Sequence, residues 1–104
     1  MATSSIERLL RKTPSNVHAE QALLGAILAN NKAYERVSDI LAPEHFTDPI
    51  NGGIYRILAR KIESGQLADM ITLKSDVENN PQISDSGGTQ YLSFLLTAMV
   101  SIIN

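Results

Sequence analysis

The 104-residue sequence predicts an all-α fold, a compact bundle of about five short helices that pack orthogonally. Hydrophobic residues make up 43% of the chain, whereas aromatic residues make up 5% and Trp is absent, a balance that favours closely packed helices over a β-sandwich. Apolar residues recur every three or four positions, which is the spacing of a helix face. Cysteine is absent, so the sequence excludes disulfides and thiolate metal sites.

The first predicted helix runs to about Ala29 from an N-cap at Ser15 or Asn16, whose side chains can accept hydrogen bonds from the first free N–H groups. Glu20 lies near the positive end of its dipole. Gly25 costs about 1 kcal/mol relative to Ala inside a helix. We explain it by the close crossing of another backbone, with simple tolerance as the alternative. The apolar face comprises Val17, Ala22, Leu23, Leu24, Ile27 and Leu28.

Two further helices follow. The second is predicted from an N-cap at Asn31 to a stop before Pro43, because a residue that precedes proline avoids the α region. Its apolar residues are Ala33, Val37, Ile40 and Leu41. The third begins near Pro49, which suits a first helical turn, and ends at Gly65, a candidate for the left-handed conformation. Its regular apolar stripe comprises Ile50, Ile54, Ile57, Leu58 and Ile62.

A fourth helix is predicted after a connector over residues 66–71. Thr72 is its expected N-cap, and the Asn79-Asn80-Pro81 sequence is its expected stop. Leu73 and Val77 are its apolar residues.

The remaining residues are predicted to form a loop and a fifth helix. Residues 82–88 are rich in Ser, Asp and Gly and are expected to be a loop, after which Thr89 caps the helix. Its apolar residues are Leu92, Leu95, Leu96 and Met99. The apolar pattern continues at Ile102 and Ile103, so we expect the intact protein to contain more chain.

Residues 1–14 are predicted to form a flexible N-terminal tail ahead of one domain over residues 15–104. The tail has a charge of +2 and the whole chain a formal charge of −2, so the domain carries −4. An acidic domain repels a phosphate backbone, and we do not expect it to bind DNA by itself. No apolar run approaches the roughly twenty residues of a membrane-spanning helix, so we expect a soluble protein, and the lack of cysteine is compatible with the cytoplasm.

No catalytic, cofactor-binding or metal site is predicted. His18 and His45 belong to different segments and lack further ligands at metal-binding spacing. The glycine pairs at residues 52–53 and 87–88 lack the Lys and Ser or Thr of a phosphate-binding loop, which favours roles in turns and helix starts.

Charged and aromatic side chains are interpreted as solvated, interface or core residues. Asp76 and Glu78 are two residues apart on a helix and face different directions, a poor arrangement for acid–base catalysis. Arg56, Arg60 and Lys61 form a basic group for which a phosphate contact is the less favoured alternative, because no aromatic residue is interleaved. The aromatic residues are more typical of core or interface anchors; they are Tyr34, Phe46, Tyr55, Tyr91 and Phe94.

Five segments, taken in order, resemble the N-terminal domain of the DnaB-type bacterial replicative helicases. The longest covers residues 14–25, with Glu-Gln followed by Leu-Gly as in that family's opening helix. The others are Pro43-Glu44-His45-Phe46, Ile54-Tyr55, Gly65 followed by Asp69-Met70-Ile71-Thr72-Leu73, and Gly87-Gly88-Thr89-Gln90-Tyr91-Leu92. None is diagnostic alone, but their order and spacing extend the resemblance from about Pro14 to the C-terminus.

The chain departs from the family pattern at three places. His18 stands where Glu is usual and Leu67-Ala68 where Pro-Ile is common, and both changes look neutral. Asn51-Gly52 stands where a His-Arg pair is frequent. With Gly53, this change predicts a late start for the third helix, and a partner contact that relies on the His-Arg pair is in question here.

The resemblance implies a parent protein that forms a ring-shaped hexamer and unwinds duplex DNA at the replication fork with ATP. In that family the motor, with its ATP and Mg²⁺ site and its DNA contacts, lies in a separate C-terminal domain. The N-terminal domains form a collar that helps recruit primase, and a helicase loader is a further implied partner. The chain ends before the family's long helical hairpin, so the fragment should act as a protein-interaction module and neither hydrolyse ATP nor unwind DNA.

Two other classes remain open. One is a free-standing helical adaptor, such as a loader or the helicase-binding part of a primase. The other is a small helix-turn-helix DNA binder, which the charge of −4 on residues 15–104 disfavours.

Overall fold

The computed structural model describes residues 16–103, with side chains through residue 99. The predicted tail, the Ser15 cap and the side chains of Ile102 and Ile103 lie outside this description. Residues 16–103 form six α-helices and one 3₁₀ turn, with no β-strand in that range, so the all-α prediction is confirmed. In chain order these are α1 Val17–Ala29, α2 Lys32–Val37, the 3₁₀ turn Pro43–His45, α3 Pro49–Glu63, α4 Met70–Glu78, α5 Pro81–Asp85 and α6 Thr89–Ile103.

Helix α1 is the central helix. It begins as predicted at Asn16, whose Oδ1 accepts a hydrogen bond from Ala19 N at 2.9 Å. The helix is buried on almost every side and packs most extensively on α6. Its buried residues are Ala19, Glu20, Ala22, Leu23, Leu24, Gly25, Ile27 and Leu28. The predicted apolar face is therefore present but forms part of a wider buried surface.

Gly25 allows the backbones of α1 and α6 to touch. A Cβ atom built on Gly25 would lie 2.0 Å from the carbonyl oxygen of Leu95, closer than any real contact. The predicted close crossing is confirmed, because only a residue without a side chain fits against this carbonyl.

Helix α2 is shorter than predicted, ending at Val37, and Asn31 does not cap it through its side chain. The Asn31 side chain instead donates to the carbonyl oxygens of Ile27 and Ala68, both at 2.9 Å, and accepts a bond from Ala68 N at 2.9 Å. Three bonds to two separate segments outweigh the single bond of a cap. Asn30 takes over the local role by accepting from Lys32 N at 3.0 Å.

Helix α3 begins at Pro49, so the expectation of a late start is wrong. Asp48 is its N-cap and accepts from Ile50 N at 2.8 Å. Gly52 carries a structural role that offsets its poor helix propensity, because a Cβ there would lie 2.7 Å from the carbonyl oxygen of Pro43 in the 3₁₀ turn. The apolar stripe is confirmed by Ile54 and Leu58, which are both fully buried.

Helix α4 begins before the predicted cap. Asp69 is the N-cap, and its Oδ1 accepts from Ile71 N at 3.0 Å and Thr72 N at 2.9 Å. Thr72 is instead the third helical residue, and its Oγ1 accepts from Asp69 N at 2.9 Å. The pair forms a capping box, which satisfies more free N–H groups than Thr72 would satisfy as the cap.

The predicted loop over residues 82–88 contains a helix, α5. Asn80 caps it by accepting from Gln82 N and Ile83 N, and Pro81 occupies its first turn. An Asn-Pro cap signal and the burial of Ile83 outweigh the turn propensity of the Ser and Asp residues. Thr89 is the first residue of α6, not its cap, and its hydroxyl donates to Glu78 at 2.9 Å.

Replacing Leu24 by Asp places an unpaired charge at the centre of α1. Leu24 is 0% exposed, so Leu24→Asp should lower the free energy of unfolding by roughly 3–5 kcal/mol or prevent folding. Urea unfolding followed by circular dichroism measures this. Ile71→Asp is the matched control because Ile71 is 85% exposed, and its stability should change little. Equal stabilities for the two variants would contradict the assignment of the core.

Two glycine-to-alanine changes test the helix crossing. Gly25→Ala should destabilise the domain by about 1–3 kcal/mol, because the new methyl group pushes α6 away from α1. Gly53→Ala should be neutral or stabilising by up to about 1 kcal/mol, since its Cβ would lie 3.5 Å from Ile83 Cδ1, an ordinary contact. Thermal melts of both variants give the comparison, and a stable Gly25→Ala protein would refute the close crossing.

Candidate protein-interaction surface

Neither histidine belongs to a group of potential metal ligands among residues 16–103. His18 is exposed on the first turn of α1. His45 is exposed in the 3₁₀ turn, where its Nδ1 accepts a hydrogen bond from Ala42 N at 3.0 Å. In the described part of the chain, no three His, Cys, Asp or Glu side chains group together in a way that could hold a metal ion.

The glycine pairs and the two carboxylates hold structural positions. Gly52 and Gly53 lie inside α3, and Gly87 and Gly88 form the turn before α6 with φ angles of 120° and 54°. Asp76 forms an ion pair with Lys61 at 3.4 Å, and Glu78 accepts the Thr89 hydroxyl bond. These contacts give each group a role in the fold.

Glu20 is the functional-looking residue that the sequence interpretation missed. It is 1% exposed, so the residue expected to complement the helix dipole is in addition a buried carboxylate. Oε2 accepts from Thr47 N at 2.6 Å and from Thr47 Oγ1 at 2.7 Å, and Oε1 accepts from Asp48 N at 3.4 Å and from Asn51 Nδ2 at 3.1 Å. The signal in the sequence is that residues 22–29 of α1 are apolar on every side, which indicates that most of the helix is enclosed.

The Glu20 contacts continue into a network that joins three helices. Asn51 is 0% exposed and accepts the hydroxyl hydrogen bond of Tyr91 from α6. Tyr91 in turn accepts from Gln21 Nε2 at 3.1 Å. In the described part of the chain, every buried side-chain nitrogen and oxygen has a hydrogen-bond partner, so the network is fully satisfied. A satisfied buried network stabilises one arrangement of the helices it joins.

The tyrosines act as anchors with protonated hydroxyl groups. Tyr55 packs on Tyr34 and Phe46, with ring centroids 5.8 and 5.1 Å away, and donates to the Leu41 carbonyl at 2.8 Å. Burial raises the pKa of Tyr55 to about 12. Burial, followed by the hydrogen bond to Glu63, raises the pKa of Tyr34, and burial raises that of Tyr91. All three therefore remain hydrogen-bond donors at neutral pH.

The basic group of α3 lies at the surface. Arg56 and Arg60 are exposed, one helical turn apart, and Lys61 is half-buried. Lys61 Nζ donates to the Thr72 carbonyl at 3.2 Å besides pairing with Asp76. The interpretation of this group as a solvated or interface face agrees with its exposure.

Three large apolar side chains are exposed among those described, namely Leu67, Ile71 and Phe94. Phe94 stacks on Tyr91 of the same helix, with ring centroids 6.0 Å apart. Leu67 and Ile71 lie four residues apart, on the connector and the first turn of α4. Exposed large apolar side chains mark candidate sites of protein contact. We therefore take Leu67 and Ile71, together with the basic residues Arg60 and Lys61 of α3, as the candidate interaction surface.

None of the helices within residues 16–103 combines the length and the apolar character needed to cross a lipid bilayer.

Substituting Glu20 tests the buried network. Glu20→Gln keeps the shape but sets an amide donor against an N–H donor, so we expect a loss of about 1–3 kcal/mol in the free energy of unfolding. Glu35→Gln, at an exposed position on α2, is the control and should change stability by less than about 0.5 kcal/mol. Urea titrations of both variants at pH 7 make the comparison. Equal midpoints would show that the Glu20 carboxylate is dispensable.

Comparison with known proteins gives the family. The DnaB-like helicase N-terminal domain model matches residues 12–104. The replicative DNA helicase DnaB of Rickettsia bellii is 44% identical over 96 residues, which cover 92% of this chain and 19% of that protein. Those of Rhodothermus marinus and Geobacillus stearothermophilus are 35% and 32% identical, over 90% of this chain and 10% and 21% of those proteins. No solved structure matches the chain significantly.

The chain spans about a fifth of the length of the Rickettsia relatives it matches. The matched region includes all six helices and the Glu20 network, so the family and the fold agree over the same residues. This chain therefore belongs to the family of DnaB-like helicase N-terminal domains.

Proposed function

We propose that this chain is the N-terminal assembly and partner-binding domain of a cytoplasmic hexameric replicative DNA helicase, which unwinds duplex DNA at the replication fork with ATP. The observation that carries the proposal is the family match over residues 12–104, together with relatives that are named replicative DNA helicase. The ATP and Mg²⁺ chemistry would belong to a motor outside these 104 residues.

The physical character of the domain supports an assembly role. Among residues 16–99, every buried side-chain nitrogen and oxygen has a hydrogen-bond partner, and the exposed large apolar residues lie on α4, α6 and a connector. Residues 15–104 carry −4, which disfavours direct binding to DNA. We therefore assign recognition of other subunits, of primase and of a helicase loader to this domain, and DNA contact to the motor.

The reading frame beyond Asn104 provides the first test. We expect a helical hairpin, a linker and then a glycine-rich loop ending in Gly-Lys-Ser or Gly-Lys-Thr. An immediate stop codon would overturn the proposal and favour a free-standing adaptor.

Assembly provides the second test. The protein from the full reading frame should sediment as a hexamer and hydrolyse ATP, whereas the 104-residue chain should do neither. A chain extended through the hairpin should associate more strongly than the 104-residue chain. A full-length protein that remains monomeric at high concentration, or ATP hydrolysis by the 104-residue chain alone, would contradict the proposal.

A further inference from the structure

Two shallow clefts meet on the surface between the end of α3 and the start of α4. The first has a volume of about 320 Å³ and is lined by Ile57, Arg60, Lys61, Ser64, Gln66 and Asp76. The second has a volume of about 490 Å³ and is lined by Lys61, Gln66, Leu67 and Thr72. Since Lys61 and Gln66 line both, we treat them as one surface, the α3–α4 cleft.

The α3–α4 cleft has one exposed large apolar side chain in its lining, Leu67, which is 63% exposed. Ile71, which precedes the lining residue Thr72 on α4, does not line the cleft itself but is 85% exposed. Their burial by a partner would be favourable at roughly 25 cal/mol per Å² of apolar surface.

The charged residues that line the cleft are Arg60, Lys61 and Asp76, a net charge of +1, whereas residues 15–104 carry −4. Arg56, one helical turn before Arg60, adds an exposed cation outside the lining. Nearby carboxylates keep their negative charge but already have partners within the chain, and Asp76 in the cleft pairs with Lys61. Glu63 accepts the Tyr34 hydroxyl bond, and Asp69 caps α4.

We propose that the α3–α4 cleft docks an acidic segment of a partner protein that also carries a large apolar side chain. The apolar side chain would pack on Leu67 and Ile71, and the carboxylates would face Arg60 and Lys61, where one would share Lys61 with Asp76. This inference rests on the proposed partner-binding function and deepens it by stating the chemistry of one partner.

Charge and composition favour this occupant over two others. A second copy of the chain placed symmetrically on the cleft would set one surface of net charge +1 against another of the same charge, which is unfavourable. A nucleic acid would use the two cations but leave Leu67 and Ile71 exposed, and no aromatic residue lines the cleft to stack on a base.

Fluorescence anisotropy with a labelled peptide tests the proposal. The probe is a helical peptide with Leu at positions i, i+3, i+4 and i+7 and Glu elsewhere, titrated with the 104-residue chain, and the comparison peptide carries Lys in place of Glu. We expect the Glu peptide to bind and the Lys peptide not to bind. Arg60→Glu and Ile71→Ser should each weaken binding by about tenfold or more.

Matched controls lie at other exposed sites. Arg36→Glu removes a cation from α2, and Phe94→Ser removes an exposed apolar side chain from α6. Both should leave the Kd of the Glu peptide within about twofold, and circular dichroism of all four variants should show the native helix content.

Several outcomes would overturn the proposal. These are no binding of the Glu peptide up to about 1 mM, equal binding of the Lys peptide, or loss of binding with Phe94→Ser and not with Ile71→Ser. Sedimentation that shows dimers lost with Arg60→Glu would assign the cleft to a second copy. Binding of a single-stranded oligonucleotide that depends on Arg60 but not Ile71 would assign it to nucleic acid.

The proposal for the cleft can be wrong while the proposed function is right. If the Glu peptide does not bind while the full-length protein still forms a hexamer, only the cleft assignment is wrong. If the full-length protein does not assemble, the proposed function itself is wrong, whatever the peptide does.

Discussion

The contact between α1 and α6 is the constraint on which the other helices depend. At Gly25 the two backbones approach so closely that the carbonyl of Leu95 occupies the place of a side chain. This approach buries α1 from one side, and α3 contacts it as well. A 13-residue helix enclosed in this way must be largely apolar. Its almost completely buried positions are accordingly Leu23, Leu24 and Ile27.

The enclosure of α1 also determines the role of its one buried acid. A carboxylate in an apolar interior is costly unless donors surround it, and Glu20 has donors from Thr47, Asp48 and Asn51. These donors come from the segment that leads into α3 and from α3 itself. The carboxylate therefore fixes where α3 begins relative to α1, and Tyr91 extends the same restraint to α6. The same hydrogen bonds therefore stabilise the buried charge and fix the position of α3.

Much of the fold was predictable from local patterns, and the exceptions share a cause. The stripe of α3, an N-cap at Ser15 or Asn16 and the favoured close approach at Gly25 are predicted from spacing, capping preference and helix propensity. Asp69 caps α4 in place of Thr72 because the two residues form a reciprocal capping box. Asn31 does not cap α2 because its side chain binds Ala68, a partner distant in the sequence. The basic part of the candidate surface is interpreted from the sequence as a solvated or interface face, whereas its apolar part is not predicted, since the exposure of Leu67 depends on how the connector is held.

The three hydrogen bonds of Asn31 have a consequence for that surface. Asn31 forms hydrogen bonds with both the N–H and the carbonyl of Ala68, a fully buried residue. These bonds anchor the connector to the end of α1 one residue after Leu67. Asp69 then secures the following turn. Because the backbone that follows Leu67 is fixed, the exposed Leu67 side chain is already positioned for a contact. A protein that contacts it would spend little entropy on ordering this stretch of chain, so even a small contact area could yield useful affinity.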